Sequence, residues 1–162
     1  MIKYKQTFMD KLQTIDLAKV KKMFPDMSEI EMGNDFFLAD VSLCQYDNEL
    51  AEPFRVNAYM AIICIAGEMD VEINLRAIHL ERRMAFIYIP GNILQIRNVS
   101  KDGRYIIMAL SEEYMSTLNL DLKGLFNDSM TILSTPYFTL TDEELKLSSG
   151  YAMLARELIR IE

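Results

Sequence analysis

From residue 36 to residue 110 the apolar residues recur at every second position, and this period limits the fold more than any other feature. Period two belongs to strands with one face in a core. "FFLADVSLCQY" puts Phe37, Ala39, Val41 and Leu43 on one side. "AYMAIICIA" (58–66) is apolar on both faces, as for a strand covered on both sides. "GE" (67–68) reads as a hairpin link with Gly first, which suits a type II′ turn. "MDVEINL" (69–75) alternates, with Met69, Val71, Ile73 and Leu75 inward and Asp70, Glu72 and Asn74 outward. "AIHL", "MAFIYI", "LQIRNV" and "RYIIMAL" follow, broken at Glu81-Arg82-Arg83, Pro90-Gly91 and Lys101-Asp102-Gly103. Seven short strands at this spacing predict an all-β sandwich or barrel.

The flanks change period. "DLAKVKKMF" (16–24) predicts a short helix with Asp16 as N-cap, Pro25 after its end, and Leu17, Val20 and Phe24 on one face. Such a helix packs on the main body or belongs to a movable N-terminal arm. "SEEYMSTL" starts a helix at Ser111, with two acids in the first turn. "TDEELKLSSGYAMLARELIRIE" (141–162) opens on a capping box, Thr141 and Glu144. At about 100° per residue, Leu147, Tyr151, Leu154, Leu158 and Ile161 form one stripe, and Leu145, Ala152, Ala155 and Ile159 a second beside it. Together they span roughly 200°, more than one core contact requires. One stripe can pack on the barrel; the other predicts a partner helix. The organisation is an N-terminal arm with a short helix (1–35), a β-barrel (36–110) and a helical segment (111–162), one structural domain overall. The last helix reaches Glu162 without a Gly or Pro stop, which favours a fragment of a longer chain.

Composition narrows the function classes. With 51% hydrophobic and 25% charged residues the chain is globular. A net charge of −7 makes it a poor nucleic-acid binder by itself. The N-terminus lacks the apolar core of a signal peptide, and the longest apolar run, 58–66, is about half a membrane span. A cytoplasmic protein with reduced thiols is expected, with Cys44 and Cys64 not joined. The lone histidine, His79, cannot supply the imidazoles of a usual zinc or iron site, and the cysteine spacing fits no zinc motif. No metal, cofactor or catalytic residue is expected. His79 reads as a hydrogen-bonded structural residue, since no nucleophile motif accompanies it. "ERR" (81–83) reads first as a solvated turn.

"EPFRVNAYMAIICIAGE", "AFIYIPGNILQIRN", "MALSEEYM" and "TPYFTLTDEE", in this order and spacing, resemble the N-terminal cupin-type domain of AraC-family transcription regulators. The resemblance implies a mainly β fold: a double-stranded β-helix, or jelly-roll, barrel followed by an amphipathic dimerisation helix. It implies a small-molecule effector in the barrel and a homodimer through Leu147, Tyr151, Leu154, Leu158 and Ile161. It implies DNA binding only through a C-terminal helix-turn-helix domain that this chain does not contain. Set against the metal-binding cupin pattern, the ligand places fall on Phe54, Val56, Met60 and Leu94, all apolar, and Asn98 stands at the retained Asn. The fold marks survive without the metal chemistry.

The same alignment of positions assigns Phe54, Val56 and Met60 to one strand parity and Leu94, Ile96 and Asn98 to another, all facing the barrel interior. They form either an apolar ligand pocket or a packed core. Arg55 and Gln95 are reserve candidates, because a register slip of one would turn them inward. The expected function is an effector-sensing and dimerisation domain without activity of its own. The alternatives are a small cupin enzyme with unconventional metal ligands and a packed barrel that only dimerises.

Overall fold

A computed structural model describes residues 12–23, 30–43, 50–117 and 135–161. Two sheets face each other. The first runs β1 (Gln13–Ile15), β4 (Phe54–Val56), β9 (Leu94–Arg97), β6 (Glu68–Ile73), β7 (Arg76–Glu81). The second runs β11 (Tyr137–Thr139), β8 (Met84–Tyr88), β5 (Ala58–Ala66), β10 (Arg104–Ser111), β3 (Phe36–Val41), β2 (Ile30–Met32). All pairings are antiparallel except β1 with β4. The helices among the described residues include α1 (Leu17–Met23), α2 (Glu112–Thr117) and α3 (Asp142–Ile161). This is the predicted jelly-roll barrel with a C-terminal helix.

The chain changes sheet at most of its breaks, and here the expected hairpins give way to corners. Gly67 does not join a hairpin: β5 pairs with β8 and β10, while β6 pairs with β7 and β9. Its φ of 74° is one that side chains other than Gly rarely adopt. A Cβ there would meet Ser100 Oγ and would lie 2.6 Å from Gly103 Cα. Ser100 and Tyr105 fasten this corner. Ser100 Oγ accepts from Glu68 N–H at 2.9 Å, and Tyr105 donates to the Glu68 carbonyl at 3.0 Å. Pro90-Gly91 passes the chain from β8 to β9 in a tight turn: Gly91 has φ 86°, and Asn92 N–H bonds back to Ile89 C=O at 3.4 Å. Pro before a positive-φ Gly is the chemistry of a type II turn.

Within the first sheet β6 and β7 form a two-residue hairpin through Asn74 and Leu75, at φ 50° and 70°. Two positive φ values make a type I′ turn, which matches strand twist. Leu75 was expected inward, but the strand ends at Ile73 and the turn leaves Leu75 82% exposed. Met69, Val71 and Ile73 are buried as expected.

The core between the sheets includes the predicted Phe37, Ala39, Val41 and Leu43, with Ile15, Leu17 and Val20 of the N-terminal segment. The short helix forms as its sequence predicts, its Asp16 cap accepting from Lys19 N–H at 2.8 Å. Phe24 and Cys44 lie outside the described residues. Ser111 caps α2 by accepting from Tyr114 N–H at 3.0 Å.

The second sheet is apolar on both faces, which explains the doubly apolar 58–66. Its outer face carries Leu38 and Ile106, flanked by Phe36, Ile63 and Ile65, and Ala152 and Ala155 of α3 pack there. The α3 N-terminus is fixed by its capping box: Glu144 N–H donates to Thr141 Oγ1 at 3.1 Å, and Thr141 N–H to Glu144 Oε2 at 2.8 Å. Asp142 adds ion pairs to Arg82 at 3.2 Å and Arg83 at 3.8 Å, so the "ERR" turn is a helix anchor.

Candidate functional site

Two features invite function: the space between the sheets and the outer stripe of α3. An apolar cavity of about 40 Å³ lies between the sheets. Phe54 and Val56 of β4 and Leu94 and Ile96 of β9 line it from one sheet, Met60 and Ile62 of β5 from the other. Phe37, Ile107, Leu43 and Leu50 complete the side walls, and Ile15 and Val20 bring the N-terminal segment onto it. Five of the six predicted pocket residues thus converge: Phe54, Val56, Met60, Leu94 and Ile96. The four at the metal-ligand places of the cupin pattern are among them. Phe54 pairs directly with Leu94 across β4 and β9.

Two details differ from expectation. Phe54 and Val56 do not share a strand with Met60. The chain breaks at Asn57, whose N–H donates to Ile15 C=O at 2.8 Å, and continues in the other sheet. Asn98 does not face the cavity. Strand β9 ends at Arg97, and a φ of 53° at Asn98 breaks the alternation and leaves the side chain exposed. There Asn98 Nδ2 donates to Asp70 Oδ2 at 2.8 Å. The reserve residues do not line the cavity either: Gln95 donates to Ala51 C=O, and Arg55 is half-buried.

The sequence reading missed Ile15, Val20, Leu43 and Leu50 as cavity walls. Their apolar character was visible, but the pairing of β1 beside β4, which carries Ile15 inward, was not. It also missed Tyr88 as a polar staple. The Tyr88 hydroxyl accepts from Val56 N–H at 2.9 Å and donates to Asn92 C=O at 2.5 Å. Burial raises its pKa, so it stays a phenol. It ties the Pro90-Gly91 turn to β4 below the cavity.

Among the described residues the cavity wall carries no titratable group; the Met60 thioether is the one heteroatom that their side chains bring to it. Among the described residues no group of three or more His, Cys, Asp or Glu is placed to hold a metal ion. His79 lies outside the barrel, its Nδ1 2.7 Å from Asp70 Oδ1 and its Nε2 3.5 Å from Glu68 Oε2. The hydrogen bond to Asp70 raises the His79 pKa and lowers that of Asp70. Cys64 is buried on β5, and burial pushes its thiol up to about 11. A thiol that is protonated at neutral pH is a poor nucleophile.

The stripe on α3 is the second feature. Leu145 is 5% exposed, and Ala152 and Ala155 contact the sheet. Leu147, Tyr151, Leu154 and Leu158 are between 54% and 67% exposed. Of the fifth predicted residue, Ile161, the backbone continues the helix. No helix among the described residues is long and apolar enough to cross a membrane.

No protein-family model matches the chain, and no curated protein does. Solved structures similar to it include cupins. The Schizosaccharomyces pombe Cnp3 cupin domain is 15% identical, over 58% of this chain and 70% of that one, with a TM-score of 0.40. KdgF from a Halomonas species is 12% identical, over 53% of this chain and 78% of that one, with a TM-score of 0.38. The EutQ protein of Clostridium difficile is 15% identical, over 54% and 69%, with a TM-score of 0.35. These likenesses concern fold alone. The strand order and the alternation between sheets described above by themselves make the chain a two-sheet barrel of jelly-roll type.

Proposed function

We propose that the chain is the effector-sensing and dimerisation domain of a transcription regulator of the AraC type, with no catalytic or DNA-binding activity of its own. The observation that carries this reading is the exposed stripe of α3. Leu147, Tyr151, Leu154 and Leu158 follow at steps of four, three and four, the spacing of a coiled-coil seam. The neighbouring stripe of the helix already packs on the barrel through Ala152 and Ala155. A second copy of the chain offers a matching seam about a two-fold axis. DNA would be read by a helix-turn-helix domain outside this chain.

In this reading the N-terminal segment links effector and dimer. Ile15 and Val20 close one side of the cavity, so an apolar effector larger than the resting space displaces them. An effector that binds the displaced state more tightly shifts the population towards it. The size of the cavity supports a second reading. About 40 Å³ holds only about three waters, and ligand pockets run to ~300–1,000 Å³. That favours a packed barrel that only dimerises, and it is the reading to keep if no apolar metabolite raises the melting temperature.

Leu154→Asp tests the shared element. A charge placed in a desolvated seam is expected to convert the dimer to monomer in sedimentation velocity, with the far-ultraviolet circular dichroism unchanged. A folded variant that sediments like the parent would move the interface away from α3.

A further inference from the structure

We propose that the end of the barrel between the β6–β7 hairpin and the Pro90-Gly91 turn binds a small monocarboxylate with a short branched hydrocarbon body. A cleft of about 230 Å³ opens there, against about 40 Å³ between the sheets. Ile73, Ile87, Ile89 and Pro136 form its apolar walls, and Asn74, Arg76 and Asn92 its polar lining. None of these side chains is a carboxylate, in a chain of net charge −7.

The two carboxamides are held by their own bonds. Asn74 Oδ1 accepts from Ile93 N–H at 2.9 Å, and Asn74 Nδ2 donates to Asn92 Oδ1 at 2.7 Å. Asn92 Nδ2 donates to Ile89 C=O at 2.9 Å. These bonds engage the oxygens as acceptors and fix the direction of both amides. Each amide nitrogen carries two hydrogens, so each has a second one to offer. With the Arg76 guanidinium, whose planar fork matches a carboxylate, the polar side of the cleft is built from donors. The isoleucine and proline walls favour an anion with an apolar body over an inorganic one, because a fully hydrated ion gains nothing there.

The site lies apart from the interior cavity, with which it shares no lining residue.

Amide NMR spectra of the full chain, titrated with sodium isovalerate, test the proposal. Isovaleramide, its neutral isostere, and inorganic phosphate serve as controls. Isovalerate alone is expected to shift the Asn74 and Asn92 side-chain NH2 signals saturably. Arg76→Gln, at an exposed position, is expected to weaken binding about tenfold while keeping the dispersion of the spectrum. The absence of a saturable shift at millimolar isovalerate would overturn the proposal. So would an equal response to the amide or to phosphate, an unchanged affinity in Arg76→Gln, or shifts confined to Leu94 and Ile96.

Discussion

At the scale of single residues, the departures from regular geometry sit where the chain turns, and two of them make measurable predictions. Leu75 holds a left-handed backbone that costs a side chain about 1–2 kcal/mol. Replacement by Gly removes that cost and adds about 0.5–1 kcal/mol of unfolded-state entropy. Leu75→Gly is therefore expected to raise stability by about 0.5–1 kcal/mol in urea unfolding, and a loss would show that Leu75 packs in solution. Asp70 and His79 titrate as partners. The pKa of His79 is raised in the folded state, so its share of stability is present below the ordinary imidazole pKa and is lost as pH rises through the raised one. Asp70 is lowered, so its share is present above the ordinary carboxylate pKa and is lost as pH falls through the lowered one. The pair is thus fully formed only in the window between the two. Both side chains are about half exposed, and solvent limits the effect to about 0.5 kcal/mol or less. In Asp70→Asn, an NMR titration is expected to place His79 nearer the ordinary value of ~6.5. An unmoved His79 would mean that the hydrogen bond does not persist in solution.

At the scale of elements, α3 shows how far a pattern reaches. Its capping box, its start and its two stripes were legible because each depends on residues within a few positions of one another. Which stripe faces the barrel was not legible, since both are apolar; the outer face of the second sheet decides it by contacting Ala152 and Ala155. Two leucines on either side of Lys146 should therefore differ sharply. Leu145→Ala removes a buried side chain and is expected to cost about 2–3 kcal/mol. Leu147→Ala, at a 57% exposed position, is expected to leave the stability of the isolated chain nearly unchanged and to act only through association. Equal losses for the two at low protein concentration would contradict the orientation of the helix. The strands divide in the same way. Among those of five or more residues, β3 and β6 announce themselves by alternation and β5 by being apolar on both faces. β1, β2, β4 and β11 have three residues each and carry too little period to be seen by alternation. The place of β1, β4 and β11 is fixed by pairing with strands far away in sequence.

At the scale of the whole molecule, the sequence specifies which residues face inward better than it specifies how the strands connect. Gly67, Pro90-Gly91 and Lys101-Asp102-Gly103 were all legible as turns. Turn chemistry does not say whether the next strand pairs with the last or crosses to the facing sheet, so Gly67 reads as a hairpin and is a corner. The same limit explains the pocket. Phe54, Val56, Met60, Leu94 and Ile96 reach one cavity because inward parity survives a change of sheet, whereas Asn98 lies one residue past the end of its strand, where parity stops. The distribution of apolar surface is then a property of the assembled barrel and helix: among the described residues one stripe of α3 packs on the barrel and the other stays exposed. That asymmetry is the basis for pairing, and solution mass tests it most directly. Sedimentation equilibrium of the unmodified chain at tens of micromolar, on the order of common dimer strengths, is predicted to give twice the 18.8 kDa chain mass, falling towards one chain on dilution. A mass of one chain across that range would contradict the account.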